Sequence, residues 1–518
     1  MINYFFNIIG NFKAQMFKCF VLVFCLISIS LFANNGKSKN KSNERDTTVL
    51  PYQEANNLAG ISFKKDSLFT SEQMQEDLLF FYDKVLSIHP NPYHAISKDS
   101  LDKKIADILQ SLDRPMNRRE FWLKIATLHA CFDEHTNILK IGELYNYFWA
   151  NSKPKISRNL YNYIVMADSL ENLYFNPEYN DSLLAGKYIK SINNIPANQL
   201  FKKNSAYYSH ENRNALPRLF ATHFFFLYAN TLGKVDSFRF EYITSNNEID
   251  THTFYPEETL KSTASSTQTK QETEERNIRL RLYEDYSIAI IELNTFLPEK
   301  LGENFRKDLE TMMATVIEKK IKHLFIDISR NGGGHSGYAL EILDFIKTAK
   351  KKYYIAGAEI KISPAYRALV TPKNSDVHKD FCVSDGTIIK EDYHWKKNNA
   401  KIQYNQNLYL IQGFPTASAS ISLSSLMKFY KMGIIIGEET LGLTGGYSNI
   451  VCFAMPNTAI PFMCSTKKVL EAGGAMDGRG VLPDVEYKIK NPYKSFTLEQ
   501  LKEMLELVGE YKKRVVEP

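Results

Sequence analysis

The sequence predicts a multi-domain α+β protein whose second half is an α/β layer, and three observations carry that expectation. Apolar residues recur at three- and four-residue steps between Ser71 and Phe132, the period of amphipathic helices. From Tyr286 to Gly437, short apolar runs alternate with amphipathic segments, as in a sheet with substantially parallel pairing. A chain of 518 residues also exceeds what one hydrophobic core organises, so two or three domains are expected.

Bulk composition narrows the function classes only a little. Hydrophobic content of 44% and charged content of 24% are ordinary for globular proteins. The net charge of +6 is spread along the chain and builds no basic face, so nucleic acid is not an expected partner.

Lys13 and Lys18 precede an apolar run from Cys19 to Phe32, and Leu31-Phe32-Ala33 leads into polar Asn34-Asn35-Gly36. This order describes a signal peptide over residues 1–33, and Met16 would give it a tidier start. The run is short of the ~20 residues that span a bilayer. An uncleaved anchor, holding the protein near a membrane, is the alternative. Phe24 before Cys25 is bulky where a lipoprotein signal needs a small residue. Cleavage near Ala33 and export to the periplasm or the exterior follow as expectations. Residues 34–60 read as a polar leader.

Residues 61–152 form a helical N-terminal domain. Met74, Leu78, Phe81, Val85 and Ile88 line a first helix, stopped by His89-Pro90-Asn91-Pro92. A second helix covers 98–112. The third runs from Arg118 to Phe132 and ends at Asp133-Glu134-His135-Thr136. Residues 153–258 read as a β-rich domain with a helical stretch near 213–231, and 259–275, rich in Ser, Thr, Gln and Glu, as a polar linker. The α/β domain covers 276–490. Its strand from Ile321 to Ile328 runs into Asn331-Gly332-Gly333-Gly334, and its strand Leu408–Ile411 leads to Thr416-Ala417-Ser418-Ala419-Ser420 and a helix. A C-terminal helix occupies 491–518.

Cys131, Cys382, Cys452 and Cys464 match no zinc-binding spacing, and no metal is expected. Cys452 and Cys464 lie symmetrically about Thr458 in an expected hairpin. They face each other across its strands or stay free buried thiols; the spacing leaves both open.

Chemistry in such sheets gathers at the carboxyl ends of the strands, where both loops fall. A glycine run between strand and helix leaves N–H groups unobstructed, a cradle for a phosphate or an oxyanion. Phosphate sites usually add a lysine after the glycines, whereas His335 and Ser336 follow here, which weakens a nucleotide reading. A glycine cluster is also an ordinary turn. Ser418, flanked by alanines, sits where a substrate backbone can approach, but a serine at a helix start serves equally as an N-cap.

Taken together the motifs say more. An aspartate ending a strand, Arg330-Asn331-Gly332-Gly333-Gly334, the Ser418 segment and Gly437-Glu438-Glu439-Thr440-Leu441-Gly442 resemble the tail-specific (C-terminal processing) serine peptidases. His89-Pro90, Asp133-Glu134-His135-Thr136 and Gly480-Val481-Leu482-Pro483-Asp484 extend the match over roughly 70–490. The resemblance implies a crotonase/ClpP-like catalytic domain, and Leu184–Asn194 resembles the core strand of PDZ domains. It also implies a serine-type endopeptidase acting on polypeptides, with Ser418 as nucleophile, Ala419 and Gly333 N–H groups as oxyanion donors, and no cofactor. The family's Ser-Lys branch has its lysine 25 residues after the nucleophile, and that place is Leu443. The tricorn-like branch uses a histidine and a distant acid, which match His135 and Asp477, the latter an aspartate where that branch has glutamate. A histidine can take the serine proton near neutrality, with a carboxylate fixing its tautomer. The missing lysine is compatible with a second class, a catalytically inactive scaffold that binds a peptide, glycan or apolar ligand.

Overall fold

Thr70 and Gln73 start the first helix through a reciprocal capping box, and in the computed structural model α1 runs Ser71–Ile88. The structure describes residues 49–61, 67–151, 165–168, 170–176, 183–209, 212, 215–233, 235, 237–254, 277–346, 352–370, 382–396, 402–474, 478–489 and 494–516. These all fall in one compact unit, Thr48–Pro518. The expected signal peptide, residues 34–48 of the polar leader and the 259–275 linker lie outside the described residues; the rest of the leader holds a helix, Tyr52–Gly60, whose Ala55 is buried beside Cys452 and Met463. Among the described residues, no helix is long and apolar enough to cross a membrane.

After α2 (Lys98–Ser111) comes α3 (Arg118–Ile125), opened by an Asn117–Glu120 capping box. The third helix was expected to continue unchanged to Phe132; instead it tightens into a 3-10 segment, Ala126–Cys131. That turn sets His129 Nε2 to accept the Ile138 N–H at 3.0 Å, fixing the short strand β1 (Asn137–Ile138) behind the Asp133–Thr136 turn. α4 (Gly142–Asn151) follows.

The middle of the chain holds a two-stranded ribbon, β2 (Val165–Ala167) with β3 (Leu173–Phe175), and a four-stranded antiparallel sheet. The sheet runs in the order β5 (Ile195–Pro196), β4 (Ile189–Ile192), β6 (Phe238–Ile243), β7 (Ile249–Phe254). Helices α5 (Ala197–Ser205) and α6 (Leu216–Leu232) pack with it, the second being the helical stretch read near 213–231.

The second half is α/β. Six strands lie in the order β17 (Val485–Glu486), β14 (Ile434–Gly437), β13 (Asn407–Gln412), β10 (His323–Asp327), β9 (Ile288–Leu293), β8 (Ile278–Tyr283). Pairing is parallel from β9 through β17, and β8 is antiparallel to β9. Buried on both faces, these strands are almost uniformly apolar, as parallel sheets require. Helices α7 (Phe305–Glu318), α8 (Ser336–Glu341) and α9 (Ala419–Phe429) pack on one face. The C-terminal α10 (Leu498–Val516) covers the other.

A second sheet joins the halves. β16 (Pro461–Glu471) pairs with β15 (Gly445–Ala454), with β11 (Lys352–Lys361) and with β1, while β12 (Ile388–Lys396) lies outside β11. Residues 71–132 therefore share a core with this hairpin: Phe81 meets Phe462 edge-on at 5.1 Å, and Phe453 stacks on Phe462 at 5.4 Å. Lys361 reaches the end of α1 and donates to the Leu86 carbonyl at 2.7 Å and the His89 carbonyl at 3.3 Å. The register also settles the cysteine question. Cys452 sits opposite Met463, and Cys464 opposite Val451, so the two thiols are on opposite faces and both are free and buried.

Candidate active site

β10 and β13 are parallel neighbours, with Asp327 level with Ile411, so the loops that follow them emerge side by side. Asn331 locks them together. Its amide nitrogen donates to the Leu293 carbonyl at 3.0 Å, and its own carbonyl accepts the Ala417 N–H at 3.2 Å. Thr416, fully buried, donates its hydroxyl to the Ile328 carbonyl and accepts the Gly413 N–H, both at 3.0 Å. The aspartate ending β10 is buried too. Burial pushes the Asp327 carboxyl up, against the Ser329 N–H that donates to it at 2.9 Å.

Gly333 makes the approach of the loops possible. A Cβ there would stand 2.6 Å from Ser418 Cβ and 2.7 Å from the Ala417 carbonyl oxygen, and the residue holds φ +101°. No L side chain fits that space or that backbone. The Gly333 N–H donates to Asn331 Oδ1 at 2.9 Å, so in this structure the expected oxyanion donor is engaged inside its own loop. Ala419 opens α9, where a first-turn N–H has no intrahelical partner, and its nitrogen lies 3.1 Å from where a Gly333 Cβ would be.

Ser418 is exposed, at the junction of strand loop and helix. Its φ of 54° and ψ of −126° are outside the regions L residues favour, a strain of roughly 1–3 kcal/mol that the tied loops hold in place. Although it occupies the N-cap position of α9, its side chain makes no capping bond. The N-cap role is therefore not the one it fills. A serine displayed on a strained strand-to-helix turn is the arrangement of a nucleophile elbow.

His135 lies in the turn after the 3-10 segment, half-buried. Asp133 accepts the His135 N–H at 2.9 Å, and Ser465 Oγ donates to the same carboxylate oxygen at 2.8 Å. The other oxygen bonds His89 Nε2 at 2.8 Å, with both side chains wholly buried. Burial alone would raise the Asp133 carboxyl, yet the His89 bond holds it well below the usual carboxylate range. The motif's two ends, His89-Pro90 and Asp133–Thr136, thus meet in one interior network. Among the described residues no hydrogen bond joins His135 to Ser418. Ser209 donates to the Phe132 carbonyl at 2.9 Å beside the His135 turn, and Asn212 donates to the Thr440 and Leu441 carbonyls at 3.1 and 2.8 Å in the loop after β14. Asp477 lies outside the described residues. Leu443, at the lysine place of the other branch, opposes Gly480 in an isolated bridge.

One residue escaped the sequence reading. Glu471 ends β16 and accepts Ser422 Oγ at 2.8 Å, one helical turn beyond Ser418. Burial pushes its carboxyl up to about 7. The available signal was the run of hydroxyls at Ser420, Ser422, Ser424 and Ser425 in an otherwise apolar, buried helix. Among the described residues, no His/Cys/Asp/Glu group could hold a metal ion.

Comparison with known proteins addresses the same region. No curated protein matches the sequence. Among solved structures, a mutant of CPAF aligns with a TM-score of 0.50 at 12% identity, over 80% of this chain and 93% of that one. Mature CPAF gives 0.49 at 12% over 80% and 92%. The photosystem II D1 C-terminal processing protease gives 0.40 at 14% over 81% and 94%. The likeness to the CPAF mutant concerns the fold alone. Residues 287–487 match the model of Peptidase family S41, a span that holds all the parallel strands and both loops around Ser418. Residues 287–487 accordingly form a peptidase family S41 domain.

Proposed function

We propose that the protein is an exported serine endopeptidase that cleaves polypeptides through an acyl-enzyme on Ser418. The observation that carries this reading is Ser418 itself, exposed, held at φ 54° against Gly333 and not used as a cap. Its Oγ attacks the scissile carbonyl while His135 takes the hydroxyl proton, then returns it to the leaving amine; water releases the acid by the reverse path. The Ala419 N–H faces the developing oxyanion, joined by Gly333 once its N–H turns from Asn331. Each such donor is worth roughly 3 kcal/mol of barrier. Asp477 is the expected acid of this set. No cofactor enters the scheme. Export is supported by the basic, apolar and Ala33 pattern of the first 33 residues.

The second reading, a binding scaffold, draws on Leu443 standing where a lysine base would be. A fluorophosphonate probe, which reacts only with an activated serine, separates the two. Labelling is expected in the envelope or culture fluid of the native host, on a chain whose N-terminus is near Asn34. Ser418→Ala should abolish both labelling and casein hydrolysis. Equal turnover by that variant, or no labelling of the wild type, sinks the peptidase reading.

A further inference from the structure

A histidine that takes a proton from serine needs an acceptor at its other ring nitrogen, to fix the tautomer and to stabilise the imidazolium. His135 Nδ1 is shut off from solvent and has no hydrogen-bond partner among the described residues. A buried polar group left in that state is destabilising, so the position calls for an acceptor. The carboxylate in reach is its own neighbour: Glu134 Oε1 stands 3.8 Å from Nδ1.

Adjacent side chains point apart on a strand, but residues 133–136 form a reverse turn. The Thr136 N–H donates to the Asp133 carbonyl at 3.2 Å, and the His135 N–H to Asp133 Oδ1 at 2.9 Å. Aspartate at the first position of a turn commonly accepts from two residues on, and here it holds the backbone beneath both side chains. Asp133 itself is fully engaged. The Asn91 N–H donates to His89 Nδ1 at 3.1 Å, so the His89 proton sits on Nε2 and is donated to Asp133 Oδ2. Ser465 occupies Oδ1. The Glu134 side chain is 37% exposed.

We infer that Glu134 is the positioning residue for His135, accepting the Nδ1–H bond, and that Asp477 is not required for that role. The inference rests on the proposed Ser418–His135 reading. When His135 Nε2 takes the Ser418 proton, the Nδ1 proton stays on the ring and Glu134 stays ionised. Among the described residues, the charged groups recorded at the ring are Glu134 and Asp133, with His89 behind the latter.

The test measures fluorophosphonate acylation and peptide hydrolysis against pH for the full chain and four variants. Glu134→Gln should lower kcat by roughly 10²-fold or more, since the wrong tautomer in a comparable triad costs about 10⁴. Its acid limb should move to lower pH, because removing a neighbouring negative charge disfavours the imidazolium. A merely structural role would not produce that shift, and the melting temperature should stay close to wild type. Glu134→Asp should recover part of the rate, and Asp477→Asn should not move the acid limb. If instead Asp477→Asn shows the loss and the shift while Glu134→Gln behaves as wild type, the inference is overturned and the site reading stands. If His135→Ala is acylated as fast as wild type, the site reading itself fails and this assignment falls with it.

Discussion

Glu471 is where pH should act on stability. Its Oε1 accepts from Ser422, its Oε2 is shielded without a partner, and Lys467 offsets only part of the burial that pushes it from 4.5 to about 7. A carboxyl raised by folding favours the folded state's protonated form. Its contribution is fully present below about 4.5 and is lost as pH rises through about 7. The whole shift corresponds to at most about 3 kcal/mol, less where water reaches this partly buried side chain. Urea unfolding of Glu471→Gln and wild type between pH 4 and 8 should therefore show the difference moving in the variant's favour with rising pH. Parallel profiles would show that Glu471 is not held protonated. At this scale the sequence was legible where a residue type is rare for its place, as at Ser418 and the glycines. A lone glutamate at a strand end carries no such mark, and neither does the carboxylate beside His135, since spacing does not show which way a turn aims its side chains.

The element that sets the site is the pair of loops after β10 and β13, and Thr416 is the bolt between them. Thr416→Val keeps the shape but leaves the Gly413 N–H unpaired in the interior and the Ile328 carbonyl with only the Asn331 N–H. A loss of about 1–3 kcal/mol of stability is expected by thermal unfolding. Fluorophosphonate acylation should slow by roughly 10²-fold as Ser418 shifts relative to the glycine loop. An unchanged acylation rate would mean that the loops keep their spacing without it. Alternation of strand and helix made β9, β10, β13 and β14 readable, because each is a complete apolar run. The partner of a strand is not written in its own period. For that reason the β11–β12 hairpin, the pairing of β1 with β16 and the opposite facing of Cys452 and Cys464 emerged only from the register.

Across the whole molecule, the helical N-terminus and the β15–β16 hairpin stand or fall together. Asp77 of α1 accepts the Asn457 and Thr458 N–H groups, both at 2.8 Å, across some 380 residues of sequence. Asp77→Ala strips these buried donors of their acceptor and should cost about 3 kcal/mol or more, lowering the melting temperature in a single transition. Two separated transitions would show instead that the halves unfold independently. No local pattern announces such a contact, which is why the chain reads as a string of domains while residues 71–132 and 450–464 share one core. The β16 strand adds a consequence in time. It holds β1 and the turn of His135 near one end and bonds the helix that follows Ser418 at the other through Glu471. A chain still on the ribosome carries the turn early and Ser418 late, but lacks their shared support until residue 471 has been made. The proposed Ser418–His135 arrangement therefore lacks its scaffold until β16 has been synthesised.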